Sequence, residues 1–355
     1  MRDLQSASPP MPLDDRYSRQ VLFQGIGEEG QRRIGKGRVL LCGCGALGSA
    51  IADGLVRAGV GFLRLVDRDF VELSNLQRQV LYDEQDIAEQ LPKAIAAARK
   101  LAKINSTVTL DPIVADIDHT NMLALAKNVD LIVDGMDNFE TRFLINDAAL
   151  ELRIPWIYGG CVGSNGQVMP IFPGETACLA CLIGEVPGPG MTETCDTAGV
   201  IGPAVNVVAA LQIVAALKFL AGRRELIEPA LTIVDVWEGS LRNMSVARLR
   251  ERADCPACVH GKREWLSGMK GSQTTVLCGR NAVQISPAQK RPLSLVDLAE
   301  KLRTAGDVSH NAFLLRLTLP GGEFQLTIFP DGRAIIKGTD EITVARSLYA
   351  RYVGT

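Results

Sequence analysis

The run Arg38-Val39-Leu40-Leu41-Cys42-Gly43-Cys44-Gly45-Ala46-Leu47-Gly48 reads as a buried strand that turns through three glycines straight into a helix. Gly43 permits the tight turn, Gly45 lets backbone approach a phosphate, and Gly48 lets the helix pack on the strand, while the helix N-terminus offers free N–H groups to an anion. A second strand ends at Asp67, where Asp67 and Asp69 can accept hydrogen bonds from ribose hydroxyls. This unit alone suits NAD as well as ATP, and either aspartate could instead cap the next segment.

The residues that follow narrow the chemistry. Asn75, Arg78 and Lys93 place an amide and two cations along the segment leading into a helix after Pro92. Converging donors of this kind suit a triphosphate, whose charge must be neutralised both in binding and as pyrophosphate departs. Asp137 follows another strand end on the same sheet edge, where a carboxylate can coordinate Mg²⁺ with the phosphates. The alternative is an N-cap for the helix that carries Arg142, a role compatible with the first. His119, His260 and His310 all fall away from this edge, which counts against hydride transfer from an alcohol. A carboxylate nucleophile, with a pKa of about 3.5, is already ionised at neutral pH and needs orientation and charge neutralisation, not a base.

Four of the nine cysteines form two C-x-x-C pairs, Cys178/Cys181 and Cys255/Cys258. Each pair puts two thiolates on one turn, and two such turns supply the tetrahedral sulfur set of a structural Zn²⁺ site. His260 could replace one sulfur. Cys195, outside both pairs and ahead of an apolar helix, is a candidate thiol nucleophile, or a small apolar residue under a loop. Cys42, Cys44, Cys161 and Cys278 read as buried apolar residues.

These groups need a scaffold. Apolar strands at Val39–Cys42, Phe62–Val66, Val108–Val114, Leu131–Asp134 and Trp156–Tyr158 alternate with helices over Leu47–Arg57, Lys93–Ile104, Met122–Lys127 and Thr141–Leu152. That is an α/β, doubly wound, mostly parallel Rossmann-like sheet. Gln167–Phe172, Leu231–Trp237 and Leu241–Ala247 continue it as an antiparallel portion, the last two joined through Glu238-Gly239-Ser240. We divide the chain into a flexible N-terminus (1–15), a nucleotide-binding domain with the zinc site (16–260), a polar linker (261–273) and a small α+β C-terminal domain (274–355). The last has strands at Thr275–Cys278, Ala282–Ile285, Phe313–Leu319, Glu323–Phe329 and Ala334–Lys337, and helices at Leu295–Ala305 and Thr343–Tyr352.

Composition is that of an ordinary globular protein of 355 residues. A net charge of −2 gives no bulk electrostatic reason to bind nucleic acid or an anionic membrane. No signal-like apolar stretch opens the chain, and Val205–Leu220, interrupted by Asn206, Gln212 and Lys218, suits a buried or interface helix better than a membrane span. A cytoplasmic location is expected.

In combination, Arg16-Tyr17-Ser18-Arg19-Gln20, the glycine turn, Asp67, Asn75-Leu76-Gln77-Arg78-Gln79, Pro92-Lys93, Asp137-Asn138, both C-x-x-C pairs and Thr194-Cys195-Asp196-Thr197-Ala198-Gly199-Val200 resemble the ThiF/MoeB/HesA family, relatives of ubiquitin-activating enzymes. The resemblance covers roughly residues 14 to 260. It implies a homodimer that uses Mg·ATP to adenylate the C-terminal glycine carboxylate of a small ubiquitin-fold sulfur carrier ending in Gly-Gly. It gives Asp67 to the ribose, Asn75, Arg78 and Lys93 to the phosphates, Asp137 to magnesium, and Arg19 to the neighbouring subunit's site. Arg142 would lie near the triphosphate or carrier tail, and Cys195 matches the family's candidate thiol. Ala46 stands where a glycine is frequent, which is tolerated at negative φ. Residues 274–355 resemble an extra domain of some bacterial members, not a rhodanese. The competing readings are an NAD-dependent oxidoreductase on the same fold and a silent binding module.

Overall fold

The computed structural model describes residues 13–185, 198–252, 254–270, 274–277, 281–286 and 293–353. Cys195 and Cys278 lie outside the described residues. The larger domain is built on an eight-stranded sheet of order β3-β2-β1-β4-β5-β6-β7-β8. Its strands are β1 (Arg38–Cys42), β2 (Phe62–Asp67), β3 (Thr109–Val114), β4 (Leu131–Asp134), β5 (Trp156–Val162), β6 (Asn165–Ile171), β7 (Ala230–Asp235) and β8 (Ser240–Ser245). The first five run parallel, with Cys42 opposite both Val66 and Asp134, and β5 to β8 are antiparallel. Strand order reverses at β1, so the crevice beside its carboxyl end is where such sheets bind ligands.

Helices cover both faces: α1 (Leu13–Leu22), α2 (Gly27–Ile34), α3 (Ala46–Arg57), α4 (Glu84–Ala88), α5 (Lys93–Ile104), α6 (Met122–Leu125), α7 (Phe139–Leu152), α8 (Leu179–Ile183), α9 (Gly202–Leu220) and α10 (Leu249–Arg252). A parallel strand buried on both sides is apolar throughout, and β1 divides its side chains accordingly. Val39 and Leu41 pack with Ile51, Leu55, Ala97 and Val208, and Leu40 and Cys42 with Met122, Ile145 and Ala148. Helix α9 is long and apolar enough to cross a membrane by composition, but it packs along α3, β5 and β6. Within it Gln212 is fully buried and donates Nε2 to the Asp134 carbonyl at 2.8 Å, as a core helix of this sheet would.

Most element ends shift by one to three residues from the sequence reading, and three departures bear on how the domain is held. α1 begins at Leu13, so the last three residues of the stretch read as a flexible N-terminus are helical. The helix is held by Tyr17, buried at its centre, whose hydroxyl accepts from Asn105 Nδ2 at 2.8 Å, and by Arg16, which donates to the Ile104 carbonyl at 2.9 Å. β5 runs on to Val162 and turns through Gly163-Ser164 into β6. In the segment read as a linker, the Trp265 and Leu266 N–H groups donate to Asp147 Oδ2 on α7, at 3.0 and 3.3 Å, which anchors it.

The C-terminal domain is a six-stranded antiparallel sheet of order β11-β12-β13-β14-β10-β9. It comprises β9 (Thr274–Leu277), β10 (Ala282–Ile285), β11 (Asp307–His310), β12 (Leu315–Thr318), β13 (Gln325–Ile328) and β14 (Ala334–Lys337), with α11 (Leu295–Leu302) and α12 (Ile342–Tyr352). β11 is the strand that sequence reasoning missed; its short Asp-Val-Ser-His run has no apolar alternation, and it pairs on the edge with β12.

Candidate nucleotide site and cysteine centre

Gly43 has φ +89, and a Cβ there would stand 2.7 Å from the Gly135 carbonyl oxygen. Only glycine serves both demands. A Cβ on Gly48 would stand 2.0 Å from the Gly43 carbonyl oxygen, so the first turn of α3 lies directly on the bend. Gly45, the residue before α3, has φ −74 and no side-chain cap, and a Cβ there would meet nothing closer than Gln79 Nε2 at 4.0 Å. The side of Gly45 that a Cβ would occupy is thus open. Ala46 is the first residue of α3 and is absent from the positive-φ positions, so the departure from the family's glycine costs nothing.

Both Asp67 oxygens accept backbone N–H groups: Oδ2 from Cys44 at 2.6 Å and Oδ1 from Asp69 at 2.7 Å. This bolts the end of β2 to the glycine bend and leaves lone pairs for hydroxyl donors. Burial pushes the Asp67 carboxyl above its ordinary range, against the opposing pull of Lys93. Lys93 opens α5, is 3% exposed, and stands 3.4 Å from Asp69 Oδ2. Tyr82 lies beneath, its hydroxyl 2.7 Å from the Cys44 carbonyl oxygen and 3.2 Å from that of Lys93.

Asn75 ends a 3-10 turn and is buried, its Oδ1 accepting the Glu72 N–H at 3.1 Å. Arg78, one turn later, is half-buried and donates to the Ser74 carbonyl. Sequence reasoning gives no role of its own to Gln79, although it closes the same motif. It is 4% exposed, and its Oε1 has no hydrogen-bond partner among the described residues. The Gln79 amide lies beside the glycine cradle, its Nε2 4.0 Å from where a Gly45 Cβ would stand.

Across the crevice, Asn138 Oδ1 accepts the Thr141 N–H at 2.9 Å and caps α7. Asp137 is thus not the helix cap; it is exposed, touched by Asn138 Nδ2 at 3.4 Å. Arg142 is committed to the scaffold. Its Nε pairs with fully buried Asp134 at 3.1 Å and its Nη2 donates to the Met136 and Gly159 carbonyls at 2.6 and 2.8 Å. It ties the loop after β4 to β5 and so fixes where Asp137 emerges. Arg19 lies exposed in the last turn of α1.

The four paired cysteines meet. Their sulfurs lie within 4.8 Å of one another, at 3.8 Å for Cys178–Cys181, 3.7 Å for Cys178–Cys255 and 3.3 Å for Cys181–Cys258. Zn–S bonds of about 2.3 Å require sulfurs about 3.8 Å apart, so the cluster fits a closed tetrahedral site. The four sulfurs share protons with one another, which holds the Cys255 and Cys258 thiols below their ordinary range and pushes Cys178 and Cys181 above it. His260 pairs with Asp254 and lies outside the four-sulfur cluster, so it does not replace a sulfur.

With this geometry in place, the ThiF family model matches residues 17–257. The chain belongs to the ThiF family. Among its ThiF relatives, the sulfur carrier protein ThiS adenylyltransferase of Bacillus subtilis (strain 168) is 44% identical over 343 residues, spanning 96% of this chain and 100% of its own. That span takes in the C-terminal domain. A sulfur carrier protein adenylyltransferase of Thermus thermophilus is 39% identical over 249 residues, covering 69% of this chain and 90% of its own. Among solved structures, E. coli MccB with ATP is similar with a TM-score of 0.58 and 25% identity, over 71% of this chain and 75% of that one. ThiF membership displaces the dehydrogenase reading of the glycine turn.

Proposed function

We propose that this protein uses Mg·ATP to adenylate the C-terminal glycine carboxylate of a small ubiquitin-fold sulfur carrier ending in Gly-Gly. It is an adenylyltransferase of the sulfur-carrier class, as its relatives' names describe. The observation that carries the reading is the crevice itself: the uncapped start of α3, Asp67, Lys93 and the open Gln79 amide surround one glycine cradle.

In this arrangement Asp67 takes the ribose hydroxyls, the α3 N-terminus and Gly45 take phosphate oxygens, and Asn75, Arg78 and Lys93 neutralise the triphosphate. Asp137 would hold Mg²⁺, which supplies charge neutralisation on the phosphates. The carrier carboxylate attacks the α-phosphorus. One carboxylate oxygen–phosphorus bond forms, the bond to the pyrophosphate oxygen breaks, and no proton is transferred. Lys93 and Arg78 offset the charge on the departing pyrophosphate.

The cysteine centre would hold structural Zn²⁺, since four sulfurs leave no vacancy for water. A homodimer accounts for two features: exposed Arg19, which would reach a second copy's site, and the exposed Val207 and Val214 on α9. We place the reaction in the cytoplasm, with thiamin, molybdopterin or a related pathway consuming the activated carrier; Cys195 remains the candidate thiol for a later step.

The test is carrier-dependent ATP–pyrophosphate exchange by the purified protein. Exchange is expected with a Gly-Gly-ended carrier and lost in Asp137→Ala with the fold intact. Exchange unchanged in that variant removes the magnesium role, and NADH binding without any ATP effect on thermal stability overturns the reading altogether.

A further inference from the structure

The C-terminal domain is seated on the back of the loop that carries the nucleotide-facing residues. Phe70, three residues beyond Asp67, is buried in an apolar cluster with Ala282, Leu314, Phe329 and Ile335. On one side of this plug Asp116 is shared between domains. Its Oδ1 accepts from Arg68 Nη1 at 3.0 Å, and its Oδ2 accepts from Gln284 Nε2 at 2.6 Å. Arg68 lies between Asp67 and Asp69, and its carbonyl accepts from Arg333 Nη2 at 3.4 Å. On the other side Lys337 pairs with Glu72, and the Glu72 N–H is the donor that holds Asn75 Oδ1. Asn311 Nδ2 donates to the Gln90 carbonyl at 3.1 Å, three residues before Lys93.

These contacts do more than tether. An apolar plug alone would hold the domains together with freedom to rotate, whereas directional polar contacts around it, from buried Gln284 on Asp116 to the partly exposed Lys337–Glu72 pair, favour one register. Arg333, 2% exposed, is set within its own domain, its guanidinium 4.0 Å over the Phe329 ring and its Nε 3.7 Å from Asp331 Oδ2, which aims Nη2 at the Arg68 carbonyl. The backbone segments at 67–69, 75 and 93 are thus gripped from behind by a C-terminal side chain or lie within three residues of one that is.

We propose that the C-terminal domain is a positioning element of the nucleotide site, in which Gln284, Arg333 and Lys337 hold Asp67, Asp69 and Asn75 in ATP-binding geometry. The proposal rests on the ATP-dependent reading above. None of the three touches the reacting atoms; they act through Asp116, Arg68 and Glu72.

The experiment uses the full-length protein and measures ATP dissociation constants by calorimetry beside steady-state exchange. Gln284→Ala and Lys337→Ala are expected to raise both the Kd and the KM for ATP about tenfold, the scale on which outer partners of a site act. kcat and the carrier KM should stay within about twofold. Lys301→Ala, on an exposed position of α11, is the control. Exchanging the ion pair, Glu72→Lys with Lys337→Glu, should restore ATP affinity relative to Lys337→Glu alone, which a purely stabilising role would not do. Should Gln284→Ala fold poorly, Gln284→Glu sets a second carboxylate against Asp116 without changing shape and serves the same measurement. Unchanged ATP affinity in folded variants at both positions overturns the proposal. ATP binding without exchange in the unaltered protein overturns the carrier reading instead and leaves the positioning test standing; no ATP binding at all overturns both.

Discussion

Lys93 is tied to Asp69 twice: its N–H donates to the Asp69 carbonyl at 2.8 Å, and its ammonium stands 3.4 Å from Asp69 Oδ2. The first contact fixes where α5 starts relative to β2, and the second keeps a buried cation beside a carboxylate, as a buried charge requires. Lys93 also offsets the neighbouring Asp67 charge. Lys93→Ala leaves two carboxylates at a phosphate site without that cation. We expect exchange to fall by at least about 10²-fold, the cost of removing one preorganised charge from a polar transition state, measured as kcat/KM for ATP. Exchange at the unaltered rate would remove Lys93 from the triphosphate site.

Asp67 makes stability depend on pH in a direction opposite to that of a salt-bridged surface carboxylate. Its folded pKa is raised from the ordinary 3.8, chiefly by burial. The folded state therefore holds this proton more tightly than the unfolded chain, and the group's contribution to stability is fully present below the unfolded pKa and lost as pH rises through the folded one. The difference in unfolding free energy between the unaltered protein and Asp67→Asn, followed by denaturant titration from about pH 4 to about pH 8, should move in favour of the variant as pH rises. ATP-induced thermal stabilisation should vanish in Asp67→Asn across the same range. A pH-independent difference would show that burial does not govern this carboxyl.

The strands and the cysteine centre are legible because each rests on a local signal. β1 and β4 are short apolar runs that end at a glycine or an aspartate, and the C-x-x-C spacing places two sulfurs on one turn wherever the pairs lie. Asp137 and Asn138 show the limit: both are good cap residues, adjacent in sequence, and only the position of Thr141 decides that Asn138 caps α7. Arg142 is legible as a cation near the site but not as a strut, because its partners Asp134 and Gly159 come from two different strands. Arg68, Asp116, Gln284 and Arg333 carry no signal at all. Arg68 and Asp116 meet across 48 residues of one domain, and Gln284 and Arg333 reach them from the other domain, 168 and 265 residues away.

The cysteine centre should stabilise without catalysing. Its two halves join the helix-bearing turn at Cys178 to the turn at Cys255, far apart in sequence, so a metal closing them restrains the unfolded chain and binds only the folded one. One zinc per chain is expected by elemental analysis. Cys258→Ser should lower the Tm and weaken metal retention, while kcat per folded molecule changes by less than about twofold. Loss of kcat with the Tm unchanged would place the centre in the chemistry.

The three glycines of the turn should separate by what limits each. At Gly48 a methyl group would collide with the Gly43 carbonyl oxygen, and at Gly43 both the positive φ and the Gly135 carbonyl exclude it. Gly48→Ala and Gly43→Ala should therefore fold poorly, and their defect should appear in Tm before any assay is run. Gly45 is different: its φ is negative and its surroundings are open, so Gly45→Ala should fold with a Tm close to that of the unaltered protein. Its methyl would project into the cradle where a phosphate must approach the α3 N–H groups, and ATP affinity should drop by about tenfold or more while the carrier still binds. Calorimetry with ATP on the folded variant reads this directly. If Gly45→Ala binds ATP as tightly as the unaltered chain, the phosphates do not lie against this turn, and the glycines serve only to pack α3 on β1.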